Sequence, residues 1–315
     1  MSKLREAVEE YLALRQRLGA QLRGVASGLQ TFAAFAEQEG SAHVTIDTAL
    51  RWATQSTGNK LATVVWRLHM VRGFARWRQA TDPRTEVPPP DLLPFRYPRK
   101  PPYLYSDEEV DGLILAAQHL PSPTGLRGLT YATLFGLLAV TGMRVSETVG
   151  LDREDVNLDD GVLVIRRTKF RKSRLVPLHA SSCEILSDYA AKRDRLFPRP
   201  TTAAFFVSEK GRRVTQWAAR YTFVKVSSQI GLRPALRGHR YGRGPRLHDL
   251  RHRFAAQTLI DWYRAGIDVE RELPRLATYL GHVHVNETYW YLQAVPELLE
   301  LATQRVLDGR KETKR

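Results

Sequence analysis

Cysteine is almost absent from this chain, with Cys183 as its single example. One cysteine excludes an internal disulfide and any metal cluster built on cysteine, and it agrees with a reducing compartment. Long apolar runs are missing as well, because the longest, Leu134–Val140, falls far short of the roughly 20 residues that span a bilayer. The first residues also lack an apolar signal region. We therefore expect a cytoplasmic globular protein with no membrane partner.

Acidic residues are few relative to basic ones. The 33 aspartates and glutamates are outnumbered by 48 lysines and arginines, which leaves a formal net charge of +15. Such an excess favours a polyanion partner, either nucleic acid or an anionic membrane surface. The arginines are spread over the whole chain, whereas a membrane-binding segment usually places them beside an apolar stripe. The composition therefore favours nucleic acid.

A cluster of prolines divides the chain. The eight prolines between Thr81 and Pro102 cannot support a helix and favour an extended, semi-rigid connection. Apolar residues before this cluster recur with helical period, and Ser106-Asp107-Glu108-Glu109 after it is a capping box that starts a new helix. The length of 315 residues also indicates about two domains. We expect a helical domain at 1–82, a proline-rich linker at 83–103 and a second domain at 104–315.

The first domain carries a basic face. Its fourth helix is expected from about Asn59 to Gln79, with apolar residues inward and basic residues over the remainder. Each of these basic residues could contact phosphate, and a solvated helix face is the alternative for each. The residues that we expect to contact DNA here are Lys60, Arg67, Arg72 and Arg76.

An arginine follows a buried helix in the second domain. The run Leu126–Val140 is apolar enough for a buried helix, and Thr141-Gly142-Met143-Arg144 comes directly after it. Gly142 permits a helix break, so Arg144 could turn inward, with Glu147 near enough to hold it by a charge-assisted hydrogen bond. Alone this is a weak signal, because most arginines near helix ends are merely exposed.

Two short β-type runs, Gly161–Ile165 and Arg174–Leu178, predict a hairpin with a strongly basic tip. A lysine in this tip could lie over a DNA groove and donate a proton to a leaving oxygen, and a charged loop for solubility is the alternative. A second basic loop, from Arg233 to Arg246, is expected to embrace phosphates. The residues that we expect to contact DNA in these two loops are Arg167, Lys172, Arg240, Arg243 and Arg246.

The segment from His248 to Tyr291 has the composition of an active site. His248 and Arg251 are three residues apart in a stretch of helical period, so both should project from one face and grip one anion. Leu280-Gly281-His282 and the aromatic run that contains Tyr291 follow. Further histidines lie nearby, but the lack of thiolates and of carboxylates at ligand spacing argues against zinc.

Together these segments resemble the catalytic domain of the tyrosine recombinase, or phage integrase, family. That family has an arginine in a Thr-Gly-x-Arg-x-Ser-Glu segment, a lysine on a β-hairpin, a His-x-x-Arg-His helix, a Leu-Gly-His segment and a tyrosine nine residues beyond that histidine. By this resemblance the catalytic residues are Arg144, Lys169, His248, Arg251, His282 and Tyr291, with Glu147 in support. The likeness is strong from about Ser106 and looser before it.

The resemblance implies a mainly α-helical fold with a small β-sheet, in the α+β class. The first domain would be a helical, SAM-like core-binding domain, and the second a catalytic domain with a C-terminal tail helix. The two would form a C-shaped clamp on DNA.

The resemblance also implies a reaction. Tyr291 attacks a DNA phosphodiester, and Arg144 and Arg251 stabilise the charge that develops on the phosphate. His248 assists Tyr291, since a phenol with a pKa near 10 needs help to attack at neutral pH. Lys169 protonates the departing 5′ oxygen, which leaves a 3′-phosphotyrosyl bond.

The family's mode of action sets the expected partners. No cofactor, metal or ATP is needed, because the phosphotyrosyl bond stores the phosphodiester energy. The partner would be double-stranded DNA with paired recombination sites, bound by a homotetramer that exchanges strands through a Holliday junction. The helix that begins at Pro296 would be exchanged between subunits, with packing in cis as the alternative. We expect a mobile element as the setting and a nucleoid-associated protein.

Alternatives stay open for two of the catalytic residues. Tyr289 competes with Tyr291 within one short aromatic run, although the spacing from His282 favours Tyr291. Lys172 competes with Lys169 within the predicted hairpin.

Two further expectations concern the interval before His282 and the activity itself. The interval from Arg251 to His282 is longer than in compact family members, which predicts an enlarged loop around residues 262–274.

Two alternative activities stay open. A type IB topoisomerase-like nicking and closing enzyme would use the same chemistry. A non-catalytic, architectural DNA-binding protein could keep the fold without turnover.

Overall fold

A computed structural model describes residues 3–20, 22–56, 60–94, 101–166, 173–234 and 244–312. The described chain is mainly helical and contains one three-stranded antiparallel sheet. This confirms the predicted mainly α fold with a small sheet. The chain forms two compact units, Met1–Lys100 and Pro101–Arg315. Within the described ranges, none of the helices has the length and apolar character needed to cross a membrane.

The first unit is a helical domain with its own core. Its described helices are α1 (Lys3–Arg17), α2 (Arg23–Gln38), α3 (Ile46–Thr54) and α4 (Leu61–Arg78). Oγ1 of Thr45 accepts a hydrogen bond from the backbone N–H of Thr48 at 3.1 Å and so caps α3. The apolar faces of the helices meet in one core, in which Val8, Phe32 and Phe74 are fully buried. The basic helix predicted at about 59–79 is present as α4.

The prediction that Arg72 contacts DNA is corrected, because its side chain lies inside the first unit. The residue is 9% exposed, and its guanidinium donates to the backbone carbonyls of Pro88 at 2.6 Å and Pro89 at 2.7 Å. Prolines carry no N–H and do not extend helices, so Arg72 supplies donors that the local backbone lacks. Val87 and Leu92 pack against the same core. The described part of the proline-rich segment is therefore packed on the first unit rather than extended away from it.

The second unit begins with α5 (Asp107–Gln118), and Ser106 and Glu109 form the predicted capping box at its start. The elements that follow are α6 (Leu126–Thr141), α7 (Val145–Thr148), β1 (Val156–Asn157), β2 (Val162–Ile165), β3 (Arg174–Pro177), α8 (Ala180–Leu196), α9 (Gln216–Gln229), α10 (Asp249–Arg264), α11 (Val269–Leu280), α12 (Asn286–Ala294) and α13 (Pro296–Glu312). β2 and β3 pair antiparallel, with Ile165 opposite Arg174, and β1 lies beside β2. One apolar core joins α5, α6 and the sheet, and a second is built by α10 to α13.

Gly142 ends α6 and lets the chain turn into α7. Its φ is +59°, in the left-handed region, and a Cβ at this position would come within 2.5 Å of the Phe254 ring. Glycine alone combines the backbone freedom and the small size that this turn needs. Arg144 is the N-cap of α7, two residues later. The turn therefore places Arg144 where α6, α7 and α10 meet.

The prediction of an enlarged loop around residues 262–274 is wrong. α10 continues to Arg264, and after a short turn α11 begins at Val269 and includes Pro274. A proline inside a helix costs roughly 3 kcal/mol, but each buried leucine contributes about 1.5–3 kcal/mol. Burial of the apolar face of α11 therefore outweighs the proline. The leucines of this face, each at most 4% exposed, are Leu273, Leu276 and Leu280.

Replacing Leu273 with alanine tests whether this region is a packed helix. Leu273 is 0% exposed, so Leu273→Ala should lower the free energy of unfolding by about 2–5 kcal/mol. Ile267→Ala is the control, because Ile267 lies in the turn before α11 and is 38% exposed. It should change the free energy by no more than about 0.5 kcal/mol. Urea unfolding measures both, and equally small effects would contradict the helix.

Candidate active site

Arg144 is held by one carboxylate and one backbone carbonyl. Its Nη1 donates to Oε1 of Glu147 at 2.9 Å, and its Nη2 donates to the carbonyl oxygen of Gly281 at 2.9 Å. Its backbone N–H donates to Oε2 of Glu147 at 3.0 Å. The predicted contact between Arg144 and Glu147 is confirmed. The Arg144 side chain is 26% exposed, so an anion can still reach part of the guanidinium.

Arg174, the first residue of β3, is a site residue that the sequence analysis missed. Its Nη1 and Nη2 donate to the two carboxylate oxygens of Glu147 at 3.1 and 2.7 Å, and its Nε donates to the carbonyl oxygen of Tyr279 at 2.7 Å. Burial by itself would raise the pKa of Glu147, but hydrogen bonds and charge from Arg174, and then from Arg144, bring it below its usual value. Glu147 is therefore an ionised carboxylate shared by two arginines.

The alternation of side chains along β3 could have identified Arg174. Successive side chains of a strand point to opposite faces, so Arg174 shares its face with Val176. Val176 is 0% exposed, whereas Leu175 between them is 63% exposed. An arginine on the inward face of a strand must have a partner, because an unpaired buried charge is too costly. The strand pattern does not reveal that the partner is Glu147.

Arg251 is oriented by two neutral carbonyl groups. It is 3% exposed, and its Nη1 and Nη2 donate to the carbonyl oxygens of Gly142 at 2.8 Å and Leu280 at 2.6 Å. Burial, followed by the charge of Arg144, lowers the pKa of Arg251 to about 10. The guanidinium is therefore still cationic at neutral pH, and the carbonyls hold it without neutralising it.

His248 and His252 contact each other edge to face at the start of α10, with ring centroids 4.8 Å apart. Loss of water around the His248 ring, and then the charge of Arg251, lower the pKa of His248. His248 keeps an exposed face. Solvent there limits the size of the shift, but its direction leaves the ring neutral at pH 7.

Tyr291 is buried, and its hydroxyl contacts a histidine. The residue is 2% exposed, and its Oη lies 2.8 Å from Nδ1 of His252. The sequence analysis expected His248 to assist Tyr291, whereas the hydrogen-bonded histidine is His252, one helical turn further on. Tyr289, the alternative nucleophile, is 41% exposed. Of the two tyrosines, Tyr291 is thus the one that faces the histidines.

His282 directly follows the turn that ends α11. Gly281 forms this turn with a φ of +69°, and its carbonyl oxygen is the one bound by Arg144. Nδ1 of His282 lies 2.7 Å from Oγ1 of Thr288, which is fully buried one helical turn before Tyr291. This contact orients the imidazole and connects it to the helix that carries Tyr291.

Several predicted site residues lie outside the described part of the chain: Arg167, Lys169, Lys172, Arg240 and Arg243. The two strands that flank the predicted tip with Lys169 are described. Arg174 is the first residue of the second strand and binds Glu147. The end of the strand pair next to the predicted tip therefore lies beside the site.

The other predicted DNA contacts differ in their accessibility. Lys60 and Arg76 are exposed, and Arg67 is half-buried. The Arg246 side chain is 62% exposed and pairs with Asp249 at 2.9 Å. Apart from Arg72, these residues stay predicted DNA contacts.

In chemical terms the site combines fixed cations with a phenol. Arg144 and Arg251 can bind the non-bridging oxygens of a phosphate, and Tyr291 supplies a hydroxyl that can attack phosphorus. Within the described ranges, no group of three or more His, Cys, Asp or Glu side chains could hold a metal ion. Two preorganised guanidinium groups beside a phenol fit nucleophilic attack on a phosphodiester.

Comparison with known proteins agrees with this chemistry. The phage integrase family model matches residues 105–297. The chain is 47% identical over 310 residues to the inferred integrase/recombinase y4rB of Sinorhizobium fredii, covering 97% of this chain and 98% of that protein. It is 30% identical over 285 residues to tyrosine recombinase XerD of Neisseria meningitidis, covering 90% of each.

Solved structures share the fold at lower identity. The Tn1549 transposon integrase in complex with transposon right-end DNA matches with a TM-score of 0.64 at 16% identity, covering 96% of this chain and 99% of that chain. A lambda integrase tetramer bound to a Holliday junction matches with a TM-score of 0.62 at 15% identity, covering 91% and 76%. The likeness extends over both compact units of the chain.

A double-mutant cycle tests the contact between His252 and Tyr291. His252→Ala removes a hydrogen-bond partner of a buried hydroxyl, which should cost about 1–3 kcal/mol of unfolding free energy. In Tyr291→Phe that hydroxyl is already gone, so the two substitutions should be coupled by about 0.5–1.5 kcal/mol. Urea unfolding of the four proteins measures this coupling. Tyr289→Phe is the matched control and should show none, and zero coupling for Tyr291 would contradict the hydrogen bond.

Proposed function

The chain belongs to the phage integrase family, and on that premise we propose that it cleaves and rejoins double-stranded DNA at paired recombination sites. The observation that supports this proposal is the meeting of three groups around two glycine turns. Arg144 and Arg251 bind carbonyls at the turns of Gly142 and Gly281, and the Tyr291 hydroxyl lies beside the histidines at the start of α10. The function is therefore that of a tyrosine-type, site-specific DNA recombinase.

The scissile phosphate binds between Arg144 and Arg251. Attack on phosphorus concentrates negative charge on the non-bridging oxygens, and fixed cations stabilise that charge more than they stabilise the resting diester. Carbonyls and a carboxylate already hold both guanidinium groups, so little reorganisation accompanies the reaction. Loss of one preorganised donor typically slows such a step by about 10² to 10³. His282 adds a hydrogen bond to the same phosphate.

Tyr291 is the nucleophile. Its oxygen forms a bond to phosphorus while the bond to the 5′ oxygen breaks, which leaves a 3′-phosphotyrosyl link. His252, which already contacts the hydroxyl, takes the phenolic proton, and His248 packs against His252. Lys169 donates a proton to the departing 5′ oxygen. Because Tyr291 is only 2% exposed, its ring has to turn toward the phosphate when DNA binds.

The phosphotyrosyl link keeps the energy of the broken phosphodiester. A 5′ hydroxyl can therefore reseal the strand by the reverse reaction without ATP, cofactor or metal. Resealing to a second duplex gives strand exchange through a Holliday junction, which requires four active sites on two duplexes. A homotetramer is accordingly the proposed assembly, acting on the DNA of a mobile element within the nucleoid.

The C-terminal helix is the proposed connection between subunits. In the single chain, α13 packs against α10 and α12, and Leu298 is fully buried in their shared core. An identical subunit offers the same surface, so exchange of α13 replaces one set of contacts by an equal set. In the DNA-bound tetramer α13 occupies this surface of a neighbour.

Replacing Tyr291 with phenylalanine tests the reaction. Tyr291→Phe should abolish covalent attachment to DNA while leaving DNA binding intact, because only the nucleophilic oxygen is removed. The protein is incubated with nicked suicide duplexes from the DNA flanking its gene in the presence of EDTA. A denaturant-resistant adduct is then mapped to one peptide. Tyr289→Phe is the matched control and should still form the adduct.

Other outcomes of this assay would contradict the assignment in distinct ways. An adduct on Tyr289 would move the nucleophile, and no adduct on a specifically bound duplex would favour an architectural DNA-binding protein. Relaxation of supercoils by a monomer without paired sites would favour a type IB topoisomerase-like enzyme.

A chain that ends at Val295 tests the role of α13. It should still bind a single DNA site but should lose the tetrameric complex, because no helix is left to pack on a neighbour. Native gels and sedimentation with paired-site DNA measure both, and circular dichroism checks that the other helices persist. Arg305→Ala in the full chain is the control and should keep the tetramer. An unchanged tetramer from the shortened chain would show that α13 packs only in cis.

A further inference from the structure

A buried ion cluster lies behind Arg144. One of its residues, Arg174, has no role in the reaction described above. The cluster contains one carboxylate, Glu147, and two guanidinium groups, those of Arg144 and Arg174. The side chains of Glu147 and Arg174 are 6% and 11% exposed, whereas that of Arg144 is 26% exposed. Arg174 is therefore the inner arginine, and Arg144 is the one that an incoming phosphate can reach.

The charges of the cluster do not balance. Two guanidinium groups carry +2 and one carboxylate carries −1, so one positive charge is left over. Arg174 binds both oxygens of Glu147, in the fork-to-fork geometry that is the strongest arginine–carboxylate pairing. The guanidinium of Arg144 places only Nη1 on this carboxylate, and its Nη2 donates to the neutral carbonyl of Gly281. The surplus charge therefore belongs to Arg144.

The cluster is also tightly packed against Gly281. A Cβ on Gly281 would lie 3.0 Å from Nη1 of Arg174 and 3.2 Å from Nη1 of Arg144. The third donor of Arg174, Nε, binds the carbonyl of Tyr279 in the same turn. Arg174 thus connects the first residue of β3 to α7 and to the end of α11.

We propose that Arg174 is a positioning residue for Arg144, an inference that rests on the proposed recombinase reaction. By neutralising Glu147, Arg174 lets this carboxylate orient Arg144 without cancelling the charge that Arg144 offers to the scissile phosphate. Without Arg174, Glu147 would have Arg144 as its cationic partner, and the pair would be close to neutral. The phosphate would then lose most of the attraction of one of its two arginines.

Lysine can fill this role only in part. Arg174 makes three directed hydrogen bonds from one planar group, two to Glu147 and one to Tyr279. A lysine ammonium is a point charge on a flexible stem and does not reproduce the bidentate geometry. Arg174→Lys keeps the positive charge and loses the bidentate geometry. It therefore separates the contribution of the charge from that of the directed hydrogen bonds.

The test compares a normal scissile phosphate with a methylphosphonate, which has one non-bridging oxygen replaced by a methyl group and is uncharged. A suicide duplex of each kind is cleaved by excess protein in a single turnover, and DNA affinity is measured separately by gel shift. The variants are Arg174→Lys, Arg174→Met, Arg144→Ala and the double variant Arg174→Met with Glu147→Gln. Arg166→Met is the matched control. Arg166 follows Ile165, the residue that pairs with Arg174, but its guanidinium pairs with Asp155 at 2.5 Å and Glu154 at 3.2 Å instead of Glu147.

On the normal phosphate, Arg174→Met should slow cleavage by about 10² to 10³, as expected for loss of one preorganised cation, with little change in DNA affinity. Arg174→Lys should be slowed less. On the methylphosphonate both defects should shrink to about tenfold or less, as should that of Arg144→Ala, because the missing charge is no longer needed. The double variant should cleave normal DNA faster than Arg174→Met, since no carboxylate remains to neutralise Arg144. Arg166→Met should behave as wild type on both substrates.

Three results would overturn this role of Arg174. They are wild-type cleavage by Arg174→Met, equal defects on the charged and uncharged substrates, and a double variant no faster than Arg174→Met. The double variant also controls for misfolding of Arg174→Met, because replacing Glu147 with glutamine leaves no carboxylate in the cluster without its Arg174 partner. If the wild-type protein itself forms no adduct at Tyr291, the recombinase reaction fails and the inference falls with it. If the wild-type protein forms the adduct but the variants have equal defects on the two substrates, only the proposed role of Arg174 is overturned.

Discussion

The site depends on the way carbonyl groups at helix ends hold arginines. The last carbonyls of a helix have no partner within the helix and carry its partial negative charge. Glycines in the left-handed conformation end α6 and α11, and the carbonyls of Gly142, Leu280 and Gly281 accept hydrogen bonds from Arg251 and Arg144. A neutral acceptor orients a guanidinium but leaves its charge intact. These cations are therefore in place for a phosphate before DNA arrives.

This arrangement has an electrostatic cost that the substrate offsets. Arg144, Arg174 and Arg251 lie close enough for the charge of Arg144 to contribute to the lowered pKa of Arg251. Glu147 compensates part of this repulsion, and its own lowered pKa records how strongly the arginines favour its ionised form. The remaining positive charge matches a phosphodiester. In the proposed reaction, DNA would therefore stabilise a cluster that is under electrostatic strain in its absence.

Short-range patterns in the sequence were sufficient for much of the fold and for several local contacts of the candidate site. Caps at Thr45 and Ser106, the turn at Gly142 and the pairing of Arg144 with Glu147 all depend on residues within a few positions of each other. Such contacts follow from spacing, because a helix or turn fixes the geometry over one to two turns. The order of the catalytic motifs was recognisable for the same reason.

Contacts between distant segments were decided only when the chain folded. The sequence marked Arg72 as one basic residue among several, and packing against proline carbonyls made it structural. The length of the interval before His282 predicted a loop, but burial of leucines on one face of α11 made most of it helical despite Pro274. His252 and Arg174 are 39 and 27 residues from Tyr291 and Glu147, the groups that they bind. Residue types and local periodicity therefore determined the candidate groups and their local geometry. Side chains far apart in sequence found their partners through tertiary packing, which local spacing does not encode.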